Sequence, residues 1–147
     1  MKTWVRILTL LTLMSSLAAS AQQSQQFDDY TVHYNALNSS LISPDVAKTY
    51  AIRRSDSRAL INISVLKNTG DQTPMAVMAT VTVTGRNLTG QTREVEMREI
   101  NEGEDAIYYI GELSVRNMET FDFNVLVTPE GKSKPFNVKF RQQFYTE

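Results

Sequence analysis

Cysteine is absent from this chain of 147 residues, and histidine and tryptophan each occur once. Without a thiol there are no disulfides, thiolate nucleophiles, iron–sulfur clusters, cysteine-ligated zinc sites or blue-copper sites. A single His33 also excludes a centre built from several histidines. Fifteen basic and sixteen acidic residues leave a formal charge of −1, so no basic footprint suggests nucleic acid as a partner.

Long hydrophobic runs are also missing. The apolar run at residues 7–14 is too short to span a bilayer. Lys2 and Arg6 precede it, and Ala19-Ser20-Ala21 follows as an A-x-A cleavage site. This order predicts a signal peptide over residues 1–21, cleaved after Ala21, and therefore an exported protein without a membrane anchor. No cysteine follows that could carry a lipid. The Gln-rich residues 22–27 are predicted to be a disordered tail.

The rest of the chain, 28–147, has the composition of one globular domain, with 41% apolar and 21% charged residues in the whole sequence. Apolar and polar residues alternate in period two, which is typical of strands. Turn signals rich in Asn, Gly, Asp and Pro separate these runs. We therefore predict an all-β fold, a single antiparallel β-sandwich of immunoglobulin-like architecture, with a closed barrel as the alternative. About seven strands are expected, at 30–34, 59–65, 77–84, 94–98, 107–110, 121–127 and 136–144.

One long connection interrupts the short turns, and more than twenty residues separate the first two predicted strands. Ser43 at the N-cap, Pro44 at the first helical position and Asp45 in the first turn predict a short helix over residues 44–50. Long connections in compact domains are often functional; the alternative is a cover over one end of the sandwich. As a cover, the segment would fill core space with its aliphatic residues Leu37, Leu41, Ile42, Val46 and Ile52.

The same segment carries a resemblance to a known family. Residues 33–40 (HYNALNSS), 44–47 (PDVA) and 50–55 (YAIRRS), with 62–66 (NISVL) and the Tyr108-Tyr109 pair, resemble exported proteobacterial proteins catalogued as domain of unknown function 4426. The first block is the specific part, and the resemblance extends over nearly all of residues 22–147. It implies an all-β protein of the Gram-negative periplasm. It brings no established activity and assigns no catalytic residue.

Chemistry-bearing residues are few, which favours a non-enzymatic binding or accessory module of the periplasm with no cofactor. One alternative is a small hydrolase or ligand-processing enzyme centred on His33, although no G-x-S-x-G motif accompanies it. A second alternative is a copper carrier that uses methionine thioethers. The acidic turn at 101–105 matches no calcium-loop spacing. The methionines outside the leader are Met75, Met78, Met97 and Met118.

We expect the binding surface within residues 33–54, because the long connection, the single histidine and a basic cluster coincide there. Tyrosine rings offer flat apolar faces, asparagines offer donors and acceptors, and arginines can hold an anion. The expected partner is an unidentified periplasmic protein or a small anionic ligand. The predicted site residues are His33, Tyr34, Asn35, Asn38, Tyr50, Arg53 and Arg54.

Overall fold

The computed structural model describes residues 23–103 and 106–147, so the predicted leader lies outside the described residues. The described chain forms ten strands, one short α-helix and one 3₁₀ turn. In chain order these are β1 (Gln23–Phe27), β2 (Tyr30–Asn38), the 3₁₀ turn (Ser39–Leu41), α1 (Pro44–Thr49), β3 (Arg58–Thr69), β4 (Gln72–Ala76), β5 (Ala79–Asn87), β6 (Thr92–Val95), β7 (Met97–Asn101), β8 (Ile107–Ser114), β9 (Glu119–Pro129) and β10 (Phe136–Phe144).

The strands form two antiparallel sheets. The six-stranded sheet has the order β1-β2-β3-β8-β7, and β4 pairs with the far half of β3. The four-stranded sheet has the order β10-β9-β5-β6. The predicted all-β sandwich is therefore confirmed, with ten strands instead of seven.

The sandwich core follows the predicted alternation. Ile61, Ile63 and Val65 of β3 and Phe121 and Phe123 of β9 are completely or almost completely buried. Aromatic rings stack between strands of the four-stranded sheet, with the centroids of Phe123 in β9 and Phe140 in β10 5.0 Å apart. Burial of these large apolar side chains stabilises a fold that has no disulfide, at about 25 cal/mol per Å² of apolar surface.

Tyr109 of β8 joins the two sheets through a polar contact within this core. Its hydroxyl accepts the N–H of Ala79 in β5 at 2.8 Å and donates to Glu99 Oε2 of β7 at 3.2 Å. Burial is the main cause that raises the pKa of Tyr109, the Ala79 N–H lowers it, and the negative charge of Glu99 raises it further. The hydroxyl is therefore held in its protonated form, which can donate and accept at once.

The predicted disordered tail is wrong for the residues the structure describes. Residues 23–27 form β1, which pairs with β2 from Gln23 opposite Tyr34 to Phe27 opposite Tyr30. The Phe27 ring stacks on Phe136 with centroids 4.7 Å apart. A Gln-rich composition favours disorder in an isolated segment, but here the backbone N–H and C=O groups of the segment pair with β2, which orders it.

The single strand predicted at 94–98 is instead two strands. β6 pairs with β5 in the four-stranded sheet and β7 pairs with β8 in the six-stranded sheet, so the chain changes sheets at Glu96. Gly111 of β8 lies under this crossover, where a Cβ would come within 2.8 Å of the Glu96 carbonyl oxygen. β4, the other strand that was not predicted, contains Pro74, which argues against a strand in a sequence pattern.

Candidate functional site

The alternation of β2 decides which predicted site residues reach the surface. Val32 and Ala36 are buried on the inner face. His33 and Asn35 therefore lie on the outer face of the six-stranded sheet. Across the ladder, His33 lies between Ser24 and Ser64, and Asn35 lies opposite Asn62.

The connection between β2 and β3, residues 39–57, is held by its own hydrogen bonds. The buried Ser39 hydroxyl donates to the Arg53 carbonyl at 2.7 Å and accepts the Ser55 N–H at 3.0 Å. Arg54 donates from Nε to the Ile42 carbonyl at 2.7 Å and from a terminal nitrogen to the Ser40 carbonyl at 3.0 Å. The segment is therefore an ordered unit and not a loose loop.

The predicted helix within this connection is confirmed as α1. Pro44 is at the first helical position, and the Ser43 hydroxyl accepts the N–H of Val46 at 3.4 Å. Ala47 is the buried residue of the helix, and its carbonyl accepts the Ile52 N–H at 2.8 Å. The helix therefore turns the chain back toward β3.

Three contacts fasten the connection over the outer face of the six-stranded sheet. Arg98 of β7 donates to the Tyr50 carbonyl, and the Tyr50 hydroxyl donates to Glu102. The backbone N–H of Arg53 donates to Glu112 Oε1 of β8 at 3.2 Å. The connection therefore does not fill space between the sheets: Leu41 is 73% exposed and Val46 is 43% exposed.

A cleft of about 420 Å³ lies between the connection and the outer face of the sheet; we call it the connection cleft. Leu60 and Ile110, which point outward from central strands, are only 4% and 5% exposed there. The wall is mostly aliphatic and aromatic, and Glu102 lies at its rim. The lining residues are Ile42, Val46, Tyr50, Ile52, Leu60, Asn62, Ile100, Glu102, Tyr108 and Ile110.

Asn62 is the polar residue in the floor of the connection cleft. Its Oδ1 is buried and has no hydrogen-bond donor among the described residues. Most buried polar side-chain atoms have a partner, so an unpaired acceptor marks a place where a donor is missing. A ligand that brings an N–H or O–H group into the cleft would satisfy it.

The structure separates the seven predicted site residues into two groups. Tyr50 lines the cleft, Asn35 lies beside Asn62, and His33 is on the same face of the sheet. Arg53 is exposed. The other three have partners within the protein. Tyr34 packs on Phe140 with centroids 4.8 Å apart, the Asn38 side chain donates to the Asp56 and Tyr145 carbonyls, and Arg54 holds the connection as described above.

Sequence reasoning missed the part of the cleft that the sheet supplies. Asn62 comes from β3, and Ile100, Tyr108 and Ile110 come from β7 and β8, which are distant from the connection in sequence. The available signal was the run 107–110, which is apolar on both faces. That pattern indicates a strand whose outer face is covered, but it does not say by which segment.

The positions of the potential metal-binding side chains bear on the copper alternative. Among residues 23–103 and 106–147, no three His, Asp or Glu side chains converge on a metal position. Met75, Met78 and Met118 are exposed side chains. Within the same residues, no helix is long and apolar enough to cross a membrane.

The family model described as domain of unknown function DUF4426 matches residues 24–147. A DUF4426 family protein from Pseudomonas aeruginosa PAO1 has a similar crystal structure, with 30% identity and a TM-score of 0.72, covering 87% of this chain and 98% of that one.

FetP from uropathogenic Escherichia coli strain F11 has a similar fold, with 12% identity and a TM-score of 0.58, covering 85% of this chain and 94% of that one. A copper-bound variant of FetP shows 11% identity and a TM-score of 0.58, covering 86% and 97%. No curated protein matches the sequence. The match over all but the first residues confirms the resemblance seen in the sequence: the chain belongs to the DUF4426 family.

Proposed function

We propose that this protein is a non-enzymatic binding module of the bacterial periplasm, and that the connection cleft takes a small, mainly apolar ligand with a hydrogen-bond donor. The buried, unpaired Oδ1 of Asn62 in an otherwise apolar floor is the observation that supports this most directly. A volume of about 420 Å³ lies in the range of small-molecule sites.

The cleft favours a neutral ligand over the anionic one expected from the sequence. Arg54 uses its guanidinium on two backbone carbonyls, and Arg98 donates to the Tyr50 carbonyl. Glu102 places a carboxylate at the rim. An anion entering the cleft would therefore meet a like charge, while the guanidinium groups of Arg54 and Arg98 already have acceptors.

Two neutral probes of similar size test the need for a donor: benzamide, which carries an N–H donor, and methyl benzoate, which does not. We expect benzamide to shift the backbone amide resonances of Leu60, Tyr108 and Ile110 more strongly than methyl benzoate does. In Asn62→Val the acceptor is gone, so benzamide should lose its advantage and bind about tenfold more weakly.

Asn124→Val is the matched control, because Asn124 is also a mid-strand asparagine with a buried, unpaired Oδ1, on the other sheet. Benzamide binding should be unchanged in this variant. The proposal is wrong if both probes bind equally, if the shifts map elsewhere, or if Asn62→Val and Asn124→Val behave alike.

The proposed periplasmic location rests on the predicted leader. FetP, which has a similar fold, was recombinantly expressed in the periplasm of Escherichia coli. Cleavage after Ala21 would leave β1 intact, because that strand begins at Gln23. Intact-mass spectrometry of the exported protein should therefore show Gln22 as the first residue. Recovery of the chain with Met1 retained in a membrane fraction would contradict the proposed leader.

A further inference from the structure

Edge strands carry unpaired backbone groups, and proteins usually protect them against pairing with other chains. Five strands in the described part of the chain are edges: β1, β4 and β7 of the six-stranded sheet and β6 and β10 of the other. Four of them contain a proline or charged side chains, the common protective devices. These residues are Pro74 in β4, Arg93 and Glu94 in β6, Arg98 and Glu99 in β7, and Lys139 and Arg141 in β10.

β1 differs from these edges. Its sequence, QSQQF, has neither a charge nor a proline, and its first four residues are exposed. Phe27 anchors the strand by stacking on Phe136, and the full five-residue ladder with β2 fixes its direction. The strand is therefore an ordered edge that lacks the usual protection.

We propose that β1 pairs with β1 of a second copy of this chain, antiparallel across a two-fold axis at Gln25. In this register Ser24 lies opposite Gln26, and Gln23 lies opposite Phe27. Side chains that face the same side of the sheet meet, because strand residues alternate with period two. The two six-stranded sheets then form one continuous sheet with a closed two-fold interface.

The side chains of β1 favour a second copy as the occupant. Each Gln25 carboxamide has both a donor and an acceptor, so two copies facing each other across the axis can satisfy one another. No like charges oppose each other within the paired segment, because residues 23–27 have no ionised side chain. A strand with charged residues would gain no complementary charge at this edge.

A pair of five-residue strands buries little area, so the expected association is weak. Sedimentation velocity of the exported protein should show a dimer whose fraction rises between ~10 µM and ~1 mM, as for small transient interfaces. Amides of β1 should gain protection from hydrogen exchange over the same range. A monomer throughout that range, with unchanged β1 exchange, would overturn the proposal.

Charge substitutions at the axis provide the decisive test. Gln25→Lys and Gln25→Glu each place two like charges opposite one another, so each variant alone should dimerise at least tenfold more weakly. An equimolar mixture should associate again, because lysine then faces glutamate. Gln72→Lys in β4 is the matched control, since Gln72 is an exposed glutamine on another edge of the same sheet, and it should dimerise like the unchanged protein.

Restored association in the mixture would show that both variants are folded and that the loss was electrostatic. If Gln25→Lys dimerises as well as Gln72→Lys, or if the mixture stays monomeric, β1 is not the interface. Neither result depends on ligand binding in the connection cleft, which lies on the outer face between the connection and strands β3, β7 and β8.

Discussion

Two adjacent arginines in the connection have different surroundings. Arg54 donates to the carbonyls of Ile42 and Ser40, whereas Arg53 contributes its backbone N–H to Glu112. We expect Arg54→Ala to lower the free energy of unfolding by about 1 kcal/mol and to raise hydrogen exchange in α1, because two carbonyls lose a charged donor. Arg53→Ala should stay within about 0.5 kcal/mol. Equal effects in urea titrations would contradict this assignment.

The hydroxyl of Tyr109 stabilises the contact between the two sheets. Tyr109→Phe leaves the Ala79 N–H without its acceptor, which we expect to cost about 1–3 kcal/mol of unfolding free energy. Tyr108→Phe is the neighbouring control on the outer face and should cost less than about 0.5 kcal/mol. Thermal and urea unfolding at neutral pH measure both variants, and a larger loss in Tyr108→Phe would refute the role of Tyr109.

The raised pKa of Tyr109 adds a pH dependence to the same contact. The folded protein binds this proton more tightly than the unfolded chain, whose reference pKa is 10.0. The corresponding stability is therefore fully present below about pH 10 and is lost as pH rises through the higher folded value. The stability difference between the unchanged protein and Tyr109→Phe should shrink above that pH. A constant difference from about pH 8 to about pH 11 would show that the hydroxyl is not held as described.

At the scale of the elements, the change of sheet between β6 and β7 depends on the absence of a side chain in β8. A Cβ on Gly111 would lie 2.5 Å from Met97 Sδ, 2.6 Å from Val95 Cγ1 and 2.8 Å from the Glu96 carbonyl oxygen. Because one of these atoms belongs to the backbone, we expect Gly111→Ala to cost about 2–4 kcal/mol. Ser114→Ala, at an exposed position of the same strand, is the control. Equal melting temperatures for the two variants would contradict the packing argument.

The elements also show which structural features a sequence pattern can predict. Alternation found the inner faces of β3 and β9, and the Ser43-Pro44 pair located α1, because these signals are local in the chain. The crossover at Glu96 is invisible to alternation, since Val95 and Met97 continue the same period in two different sheets. Pairing partners are non-local, and period-two patterning does not specify them.

The sequence predicted the candidate site only in part, as it did the strands. The long connection and Tyr50 stand out in the sequence, and both form part of the cleft. Asn38 and Arg54 have the chemistry of binding residues, but they are used on backbone carbonyls inside the protein. In the sequence, Asn62 looks like a solvent-facing residue of an ordinary strand, because it alternates with apolar neighbours. Only the placement of the connection over β3 gives its carboxamide a buried environment.

Over the whole molecule, the two outer faces of the sandwich are unequal. The connection lies over the six-stranded sheet and buries Leu60 and Ile110. The four-stranded sheet faces outward with polar residues, including an Arg141 guanidinium that holds both carboxylate oxygens of Asp122 at 2.7 and 2.9 Å. That hydrogen bond lowers the pKa of the Asp122 carboxyl. The four-stranded sheet also has a cleft, of about 560 Å³, but charged residues such as Arg86, Asp122 and Arg141 line it. The connection cleft differs from it in having a mostly apolar lining.

We expect the connection and the two sheets to unfold together. Both sheets contribute to one core, and Tyr50 and Arg53 tie the connection to β7 and β8. Far-UV circular dichroism, which reports strands, and near-UV circular dichroism, which reports tyrosine and phenylalanine packing, should therefore give the same melting temperature. For the 126 residues left after cleavage at Ala21, calorimetry should give an enthalpy of about 90 kcal/mol near 60 °C.

Both the circular dichroism and the calorimetry should use a protein concentration below about 10 µM, because the weak pairing proposed for β1 then contributes little to the apparent stability. The calorimetric enthalpy should equal the van't Hoff enthalpy, as it does for a single cooperative unit. A reducing agent should leave the melting temperature unchanged, because the chain has no cysteine. Loss of the near-UV signal at a lower temperature than the far-UV signal would show that the core loses its fixed packing before the strands separate, and the sandwich would then not unfold as one unit.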